Sequence, residues 1–88
     1  MRLDLFLKHS RLIKRRTVAK SVCHEGRVEV NGALARPGRQ IAVGDNIKLT
    51  LGRKTLILKV LALPTTPTKK AELPYQIVSE EESGEELL

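Results

Sequence analysis

The spacing of apolar residues changes at Gly26, and this change limits most strongly which folds the chain can adopt. Before Gly26, apolar side chains recur three and four positions apart, a pattern typical of amphipathic helices. After it, apolar and polar residues alternate, which is typical of strands with one buried face. The sequence therefore predicts an α+β domain in which two N-terminal helices pack on a small antiparallel sheet.

Two helices are predicted before this change. The first is expected to run from Arg2 to Ile13, with Asp4 and Lys8 paired four positions apart on a polar stripe. The second is expected to follow an N-cap at Thr17 and to end at Gly26, which can adopt a positive φ. The side chains expected on its buried face are Val18, Ala19, Val22 and Cys23.

A hairpin and further strands are predicted after Gly26. Asn31 and Gly32 form the dipeptide that most strongly signals a type I′ turn. The ranges expected to form strands are 27–30, 33–36, 47–51, 56–63 and 75–78. We therefore expect a domain over 1–63, a Pro/Thr-rich connector with an edge strand over 64–78, and an acidic disordered tail over 79–88.

Charge is distributed unevenly along the chain. Residues 1–71 contain all 16 lysines and arginines but only four acids, whereas residues 72–88 contain the other six acids and no base. The formal net charge of +6 is therefore an average over a strongly basic domain and an acidic end. Such a domain suits a polyanion, either nucleic acid or an anionic membrane surface.

The basic residues are densest over 10–20, which reads SRLIKRRTVAK and includes no acid. Like charges repel, and folding alone does not require them to be gathered, so an anionic ligand is the economical explanation. Arginine forks match phosphate oxygens, and the start of the second helix would add N–H donors. We expect a phosphate-binding corner formed by Lys8, Arg11, Lys14, Arg15, Arg16 and Lys20.

Residues for other kinds of site are missing or badly spaced. Phe6 and Tyr75 are the only aromatic residues, so base stacking on rings is almost unavailable and recognition of RNA shape or backbone is favoured. Cys23 and His24 are adjacent rather than at metal-ligand spacing. There is no P-loop, dinucleotide fingerprint or pair of catalytic acids. We expect a protein that is not an enzyme and uses no cofactor.

The expected location is the cytoplasm. The single cysteine excludes an internal disulfide framework and suits a reducing compartment. No apolar run approaches the ~20 residues of a membrane span. We therefore expect a soluble protein that does not enter the membrane.

Several short groups of residues occur in a recognisable order: Arg2-Leu3-Asp4, Ser10-Arg11, Arg16, Gly26 through Gly32 and Val43-Gly44-Asp45. Together, over residues 2 to 50, they resemble the RNA-binding module of small-subunit ribosomal protein number four, the alpha-L motif. As a stand-alone chain, the sequence further resembles the P factors of ribosome-associated quality control and the fifteen-kilodalton ribosome-associated heat-shock proteins. Because the heat-shock branch has a longer helical C-terminal extension, the acidic end favours the quality-control branch.

The resemblance implies partners and a role. It implies binding, as a monomer, to the rRNA of the large ribosomal subunit and to peptidyl-tRNA that remains after a stalled ribosome splits. The protein would stabilise that tRNA while a partner factor adds a C-terminal tail to the nascent chain. Three alternatives stay open: a heat-shock-type rescue factor, an accessory RNA-binding module of an RNA-modifying enzyme, and a generic protein that binds DNA or anionic membrane.

The resemblance also assigns residues. Arg2 and Arg16 match positions at which the family contacts RNA, and Asp4 is expected to orient the first helix or to pair with one of the cations. The residues expected to bind RNA are therefore Arg2, Lys8, Arg11, Lys14, Arg15, Arg16 and Lys20.

Overall fold

The computed structural model describes residues 1–66 and 73–82, and it confirms the predicted α+β class. The elements are α1 (Leu3–His9), α2 (Arg16–His24), β1 (Val28–Val30), β2 (Ala33–Leu34), β3 (Asn46–Leu51), β4 (Lys54–Val60) and β5 (Tyr75–Glu82). The strands form one antiparallel sheet in the order β2-β1-β3-β4-β5. Neither described helix is long and apolar enough to cross a membrane.

One core joins the helices to the sheet. Three side chains of α1, those of Leu3, Phe6 and Leu7, are fully buried. They share a cluster with the buried side of α2 and with alternate residues of three strands, β1, β3 and β4. The buried strand residues are Val28, Val30, Ile47, Leu49, Leu58 and Val60. Because one face of the sheet is covered in this way, the period-of-two pattern read from the sequence is confirmed.

The first helix ends at His9, four residues earlier than predicted. Ser10 is its C-cap, and Arg11 adopts a left-handed conformation with φ of +66°. The chain then turns back, so that the N–H of Ile13 donates to the carbonyl of Leu7 at 3.1 Å and the Ile13 side chain is buried. Ile13 lies at helical spacing from the core residues of α1, but it reaches the core through a turn rather than through a longer helix.

The second helix begins at Arg16, and two predictions about it are wrong. Arg15 is the N-cap and makes no side-chain capping bond, whereas Thr17 lies inside the helix, where its carbonyl accepts a bond from Ser21. Val18 is exposed rather than buried. Successive helical residues are rotated by about 100°, so Val18 lies off the stripe that Ala19, Val22 and Cys23 bury.

Turns are found at the glycines where the sequence predicted them. Asn31 and Gly32 have φ of +52° and +86°, so both central residues have the positive φ that a type I′ turn requires. The expected end of α2 at Gly26 is matched by a φ of +74° there. The Asn31 side chain adds a contact beyond the hairpin, because its Oδ1 accepts the N–H of Asn46 at 2.9 Å and its Nδ2 donates to Asp45.

The last strand is longer than predicted. β5 continues to Glu82 and pairs with β4 along its length, with Ser79 opposite Ile57 and Glu82 opposite Lys54. Residues 79–82 were expected to begin a disordered tail, and this expectation is corrected for them because β4 supplies a paired edge. The remaining tail, 83–88, and residues 67–72 of the connector lie outside the described residues.

Candidate nucleic-acid interface

A buried carboxylate lies at the centre of the basic corner. Asp4, in the first turn of α1, is fully buried. Its Oδ1 accepts Nε of Arg2 at 3.1 Å and the N–H of Leu5 at 2.8 Å. Its Oδ2 accepts Nε of Arg16 at 3.3 Å and Nη2 of Arg2 at 3.4 Å. The start of α1 is therefore linked to the start of α2 through one acid and two arginines.

The ionisation of Asp4 depends on these arginines. Burial by itself raises the pKa of the Asp4 carboxyl, because the charged form loses hydration. Hydrogen bonds from Arg2 and Arg16, together with the Arg16 charge, outweigh burial and hold the pKa below its ordinary value of 3.8. Asp4 is therefore an anion at neutral pH, and it keeps the two guanidinium groups side by side despite their repulsion.

The two helix starts differ in how their N–H groups are used. At α1, Leu3 donates to the carbonyl of Arg39 at 2.8 Å and Asp4 donates to that of Pro37 at 3.1 Å. At α2, no side chain caps the helix. Its first three N–H groups have no acceptor among residues 1–66 and 73–82. Only α2 therefore presents open donors, and they lie beside Arg16, its first residue.

The predicted RNA-contact residues fall into two groups. Arg2 and Arg16 meet at Asp4, and Lys20 lies one helical turn after Arg16 on the same face of α2. Lys14 and Arg15 are exposed in the link that leads into α2. The other two, Lys8 and Arg11, lie at the opposite end of α1, and Arg11 is exposed there.

The predicted pair between Asp4 and Lys8 is wrong. The Asp4 carboxylate does not lie on a solvent-facing stripe but is buried against α2, where Arg2 and Arg16 are its ion-pair partners. The alternative expectation, that Asp4 pairs with a cation of the cluster, is confirmed.

Three cations of the described chain that lie outside the corner each pair with one acid. Arg27 pairs with Glu25 at 3.0 Å, and Lys54 with Glu80 at 3.5 Å. By contrast, one acid serves both Arg2 and Arg16. Three neighbouring cations, Lys14, Arg15 and Lys20, have no acidic partner in the part of the chain that is described. The corner therefore has an excess of positive charge that the fold does not neutralise.

The turn over 36–39 carries two arginines whose position beside this corner could not be predicted from the sequence. The turn over 36–39 lies against Arg2, because a Cβ placed on Gly38 would be 3.8 Å from the Arg2 guanidinium. Arg36 and Arg39 in this turn are exposed. Their spacing gave no sign of this placement, which depends on the bond between Leu3 and Arg39 across 36 positions of sequence.

Two further groups near the corner are poor candidates for chemistry. Burial, followed by the charges of Lys8 and Arg16, lowers the pKa of His9, so its imidazole adds no charge at neutral pH. Burial and the Asp4 charge raise the pKa of the Cys23 thiol to about 11, which keeps it protonated and unreactive. Among residues 1–66 and 73–82, no cluster of His, Cys, Asp or Glu could hold a metal ion.

The chain is similar to known proteins over most of its length. Residues 1–47 match the S4 domain family. The chain is similar to a protein of Streptococcus pneumoniae (strain ATCC BAA-255 / R6) named RQC P-site tRNA stabilizing factor, with 48% identity over 91% of this chain and 92% of the relative. A protein of Bacillus subtilis (strain 168) with the same name is 46% identical over 97% of this chain and 100% of its own length.

A solved structure has a closely similar fold. Trimeric heat shock protein 15 of Vibrio cholerae superposes with a TM-score of 0.82 at 25% identity, and the match covers 90% of this chain and 82% of that one.

Proposed function

The chain belongs to the S4 domain family, and on that premise we propose that it is a non-enzymatic RNA-binding factor of the large ribosomal subunit. Its ligand there is rRNA together with peptidyl-tRNA that remains after a stalled ribosome splits. The protein stabilises this tRNA and so supports C-terminal tailing of the nascent chain by a partner factor. It acts in the cytoplasm as a monomer. The observation that carries the proposal is the Arg2–Asp4–Arg16 corner beside the open start of α2.

Phosphate is the chemistry that this corner fits. Arg16 uses Nε for Asp4, and its two terminal nitrogens have no acceptor within the described chain. They can donate in parallel to a phosphate, and the first N–H groups of α2 can donate to the same anion or to its neighbour. Lys14, Arg15 and Lys20 then contact flanking phosphates, which makes the affinity strongly dependent on salt.

The names of the relatives favour the quality-control form of this function. Two relatives named RQC P-site tRNA stabilizing factor align with this chain over 92% and 100% of their lengths. A heat-shock-type rescue factor is the second candidate, and the similarity to heat shock protein 15 of Vibrio cholerae favours it. The two are separated by measuring whether nascent-chain tailing falls when this protein is deleted, because only the first role requires that result.

The proposal is tested by sedimentation of cell lysate through a sucrose gradient. Wild type is expected in the large-subunit fraction, and Arg16→Ala is expected at the top of the gradient. Arg27→Ala is the control, because Arg27 pairs with Glu25 at the other end of α2 and should stay with the subunits. Arg16→Gln retains an N–H donor for Asp4 and separates loss of binding from loss of folding. If wild type does not sediment with large subunits, the proposal is wrong.

A further inference from the structure

Arg2 is held differently from Arg16, although both donate to Asp4. Arg2 uses two nitrogens, Nε at 3.1 Å and Nη2 at 3.4 Å, so one edge of its planar guanidinium lies along the carboxylate. Arg16 uses Nε alone. Two parallel bonds fix the orientation of a guanidinium plane, whereas a single bond leaves it free to rotate. The plane of Arg2 is therefore set before any ligand arrives.

The turn over 36–39 covers one face of this plane. A Cβ on Gly38 would lie 3.8 Å from Cζ, Nη1 and Nη2 of Arg2 alike. A point equally distant from these three atoms, at that range, lies above the face of the group and not in its plane. The N–H of Arg39 donates to the carbonyl of Arg36 at 3.0 Å, which closes the turn and holds it in this position. Gly38 and its turn therefore lie on one side of the guanidinium plane.

The opposite face is the one left for a ligand. The Arg2 side chain remains 46% exposed although one edge bonds to Asp4 and Gly38 lies on one side of its plane. Unpaired RNA bases stack on aromatic rings or on arginine planes. Neither aromatic residue of the chain serves here, because Phe6 is fully buried and Tyr75 begins β5 opposite Val60. At this corner, Arg2 is a planar group whose orientation is fixed by two bonds to Asp4 and on which a base can stack.

We propose that the guanidinium of Arg2 is a stacking platform for an unpaired nucleobase of the bound RNA. This rests on the proposed function only in that the ligand is RNA. The corner would then make two kinds of contact. Arg16 and the start of α2 bind phosphate, whereas Arg2 stacks on an extruded base. It also gives the protein a means to distinguish a bulged or looped RNA from a regular duplex, which phosphate contacts alone do not provide.

Three RNA stem-loops of one sequence test the proposal by fluorescence anisotropy. The first has a perfect stem, the second has one bulged adenosine, and the third has an abasic nucleotide at the bulge. Wild type is expected to bind the adenosine RNA about tenfold more tightly than the abasic RNA, the effect of one stacked base. Arg2→Lys keeps the charge but has no plane, so this ratio should fall to about one while the salt dependence is retained.

Matched variants control the measurement. Arg27→Lys makes the same change at an arginine with the same 46% exposure and an acidic partner, Glu25, and should keep the ratio. Arg16→Lys should weaken binding to all three RNAs by a similar factor. Thermal unfolding shows whether Arg2→Lys remains folded, and the wild-type ratio tests the platform even if that variant does not fold.

The outcomes separate this proposal from the proposed function. If wild type binds the adenosine and abasic RNAs equally, or if folded Arg2→Lys keeps the preference, the stacking platform is wrong and the phosphate corner stands. If wild type binds none of the three RNAs and does not sediment with large subunits, the proposed function fails and the platform fails with it.

Discussion

At Asp4, a buried carboxylate accepts bonds from two arginines whose charges would otherwise drive them apart. The run of cations over 10–20 suggested a surface without acids, and along the sequence that description is correct. In the fold, Asp4 lies next to Arg16 although twelve positions separate them. At the residue scale, the corner is therefore a positioned pair of arginines and not a diffuse patch of charge.

The first prediction concerns the charge of Asp4. Asp4→Asn keeps the shape of the side chain but removes its charge, so two close arginines lose their shared partner. We expect the free energy of unfolding to fall by roughly 1.5–3 kcal/mol, the range for hydrogen bonds to charged groups. RNA affinity should fall as well. Urea unfolding and anisotropy on the same preparation measure both effects.

The stabilising contribution of Asp4 should decrease at low pH. Because folding lowers the pKa of Asp4 below 3.8, its stabilising contribution is present in full above that ordinary value. The contribution is lost as pH falls through the lowered value of the folded state. The difference in unfolding free energy between wild type and Asp4→Asn should thus be constant from about pH 5 to 7 and shrink below about pH 4. A difference that stays the same down to pH 2 would contradict the assignment.

The second prediction concerns Arg16 as a phosphate contact. Arg16→Ala should lower RNA affinity by about tenfold and reduce the slope of log affinity against log salt by about one. The order in which RNAs are preferred should not change, because a phosphate contact carries no sequence information. Anisotropy titrations at four salt concentrations measure the slope, and an unchanged slope would show that Arg16 does not reach phosphate.

At the scale of elements, the positions of the turns were predicted correctly, because single residues determine them. Gly26, Asn31 and Gly32 readily adopt the positive φ that their turns require, and all three have a positive φ in the structure. The ends of elements were less predictable. The early end of α1 depends on the burial of Ile13, and the extension of β5 to Glu82 depends on pairing with β4. Both are tertiary contacts that no short window of sequence contains.

In the candidate site, too, local features were predicted from the sequence and tertiary contacts were not. Arg2 and Arg16 were predicted from the family pattern, and the charge of the cluster was predicted from composition. The pairing of Asp4 with a cation was also expected. Its sharing between two arginines and the position of the turn over 36–39 were not, because they depend on hydrogen bonds between distant parts of the chain. Sequence therefore identified the cations and Asp4 as a partner for one of them, but not the arrangement in which Asp4 orients two arginines.

The third prediction compares two glycines. Gly44 has φ of +94°, so Gly44→Ala should destabilise the fold by about 1–2 kcal/mol. Gly38 has no positive φ, and a Cβ there meets Arg2 at an ordinary contact distance of 3.8 Å. Gly38→Ala should therefore change the unfolding free energy by less than ~1 kcal/mol. Thermal or urea unfolding of both variants measures these changes. A larger loss of unfolding free energy in Gly38→Ala would mean that the turn is strained.

At the scale of the whole molecule, positive and negative charge are concentrated on different elements. The cations of the corner lie at the starts of α1 and α2, whereas Glu80, Glu81 and Glu82 lie on β5, the edge strand of the sheet. Charged side chains on an edge strand also hinder pairing with another chain. Glu80 is partly neutralised by Lys54. The acids of β5 are thus held at the edge of the sheet by the pairing of β5 with β4.

The fourth prediction concerns the end of the chain. Deleting residues 83–88 removes Glu85 and Glu86 while leaving all of β5 in place. If the acidic tail competes with RNA for the basic corner, affinity for an unrelated RNA duplex should rise about two- to fivefold at low salt, because less negative charge opposes binding. A variant with Glu85→Gln and Glu86→Gln controls for length. Unchanged affinity in both would exclude competition by the tail.

The most direct test of the central claim is a cryo-electron microscopy structure of this protein on a large ribosomal subunit that carries peptidyl-tRNA. We predict RNA phosphate oxygens within about 3.2 Å of the terminal nitrogens of Arg16 and of the first N–H groups of α2. We also predict that Asp4 remains bonded to Arg2 and Arg16 in the complex. A structure in which this corner faces solvent, while β5 or another part of the sheet contacts the subunit, would contradict the account.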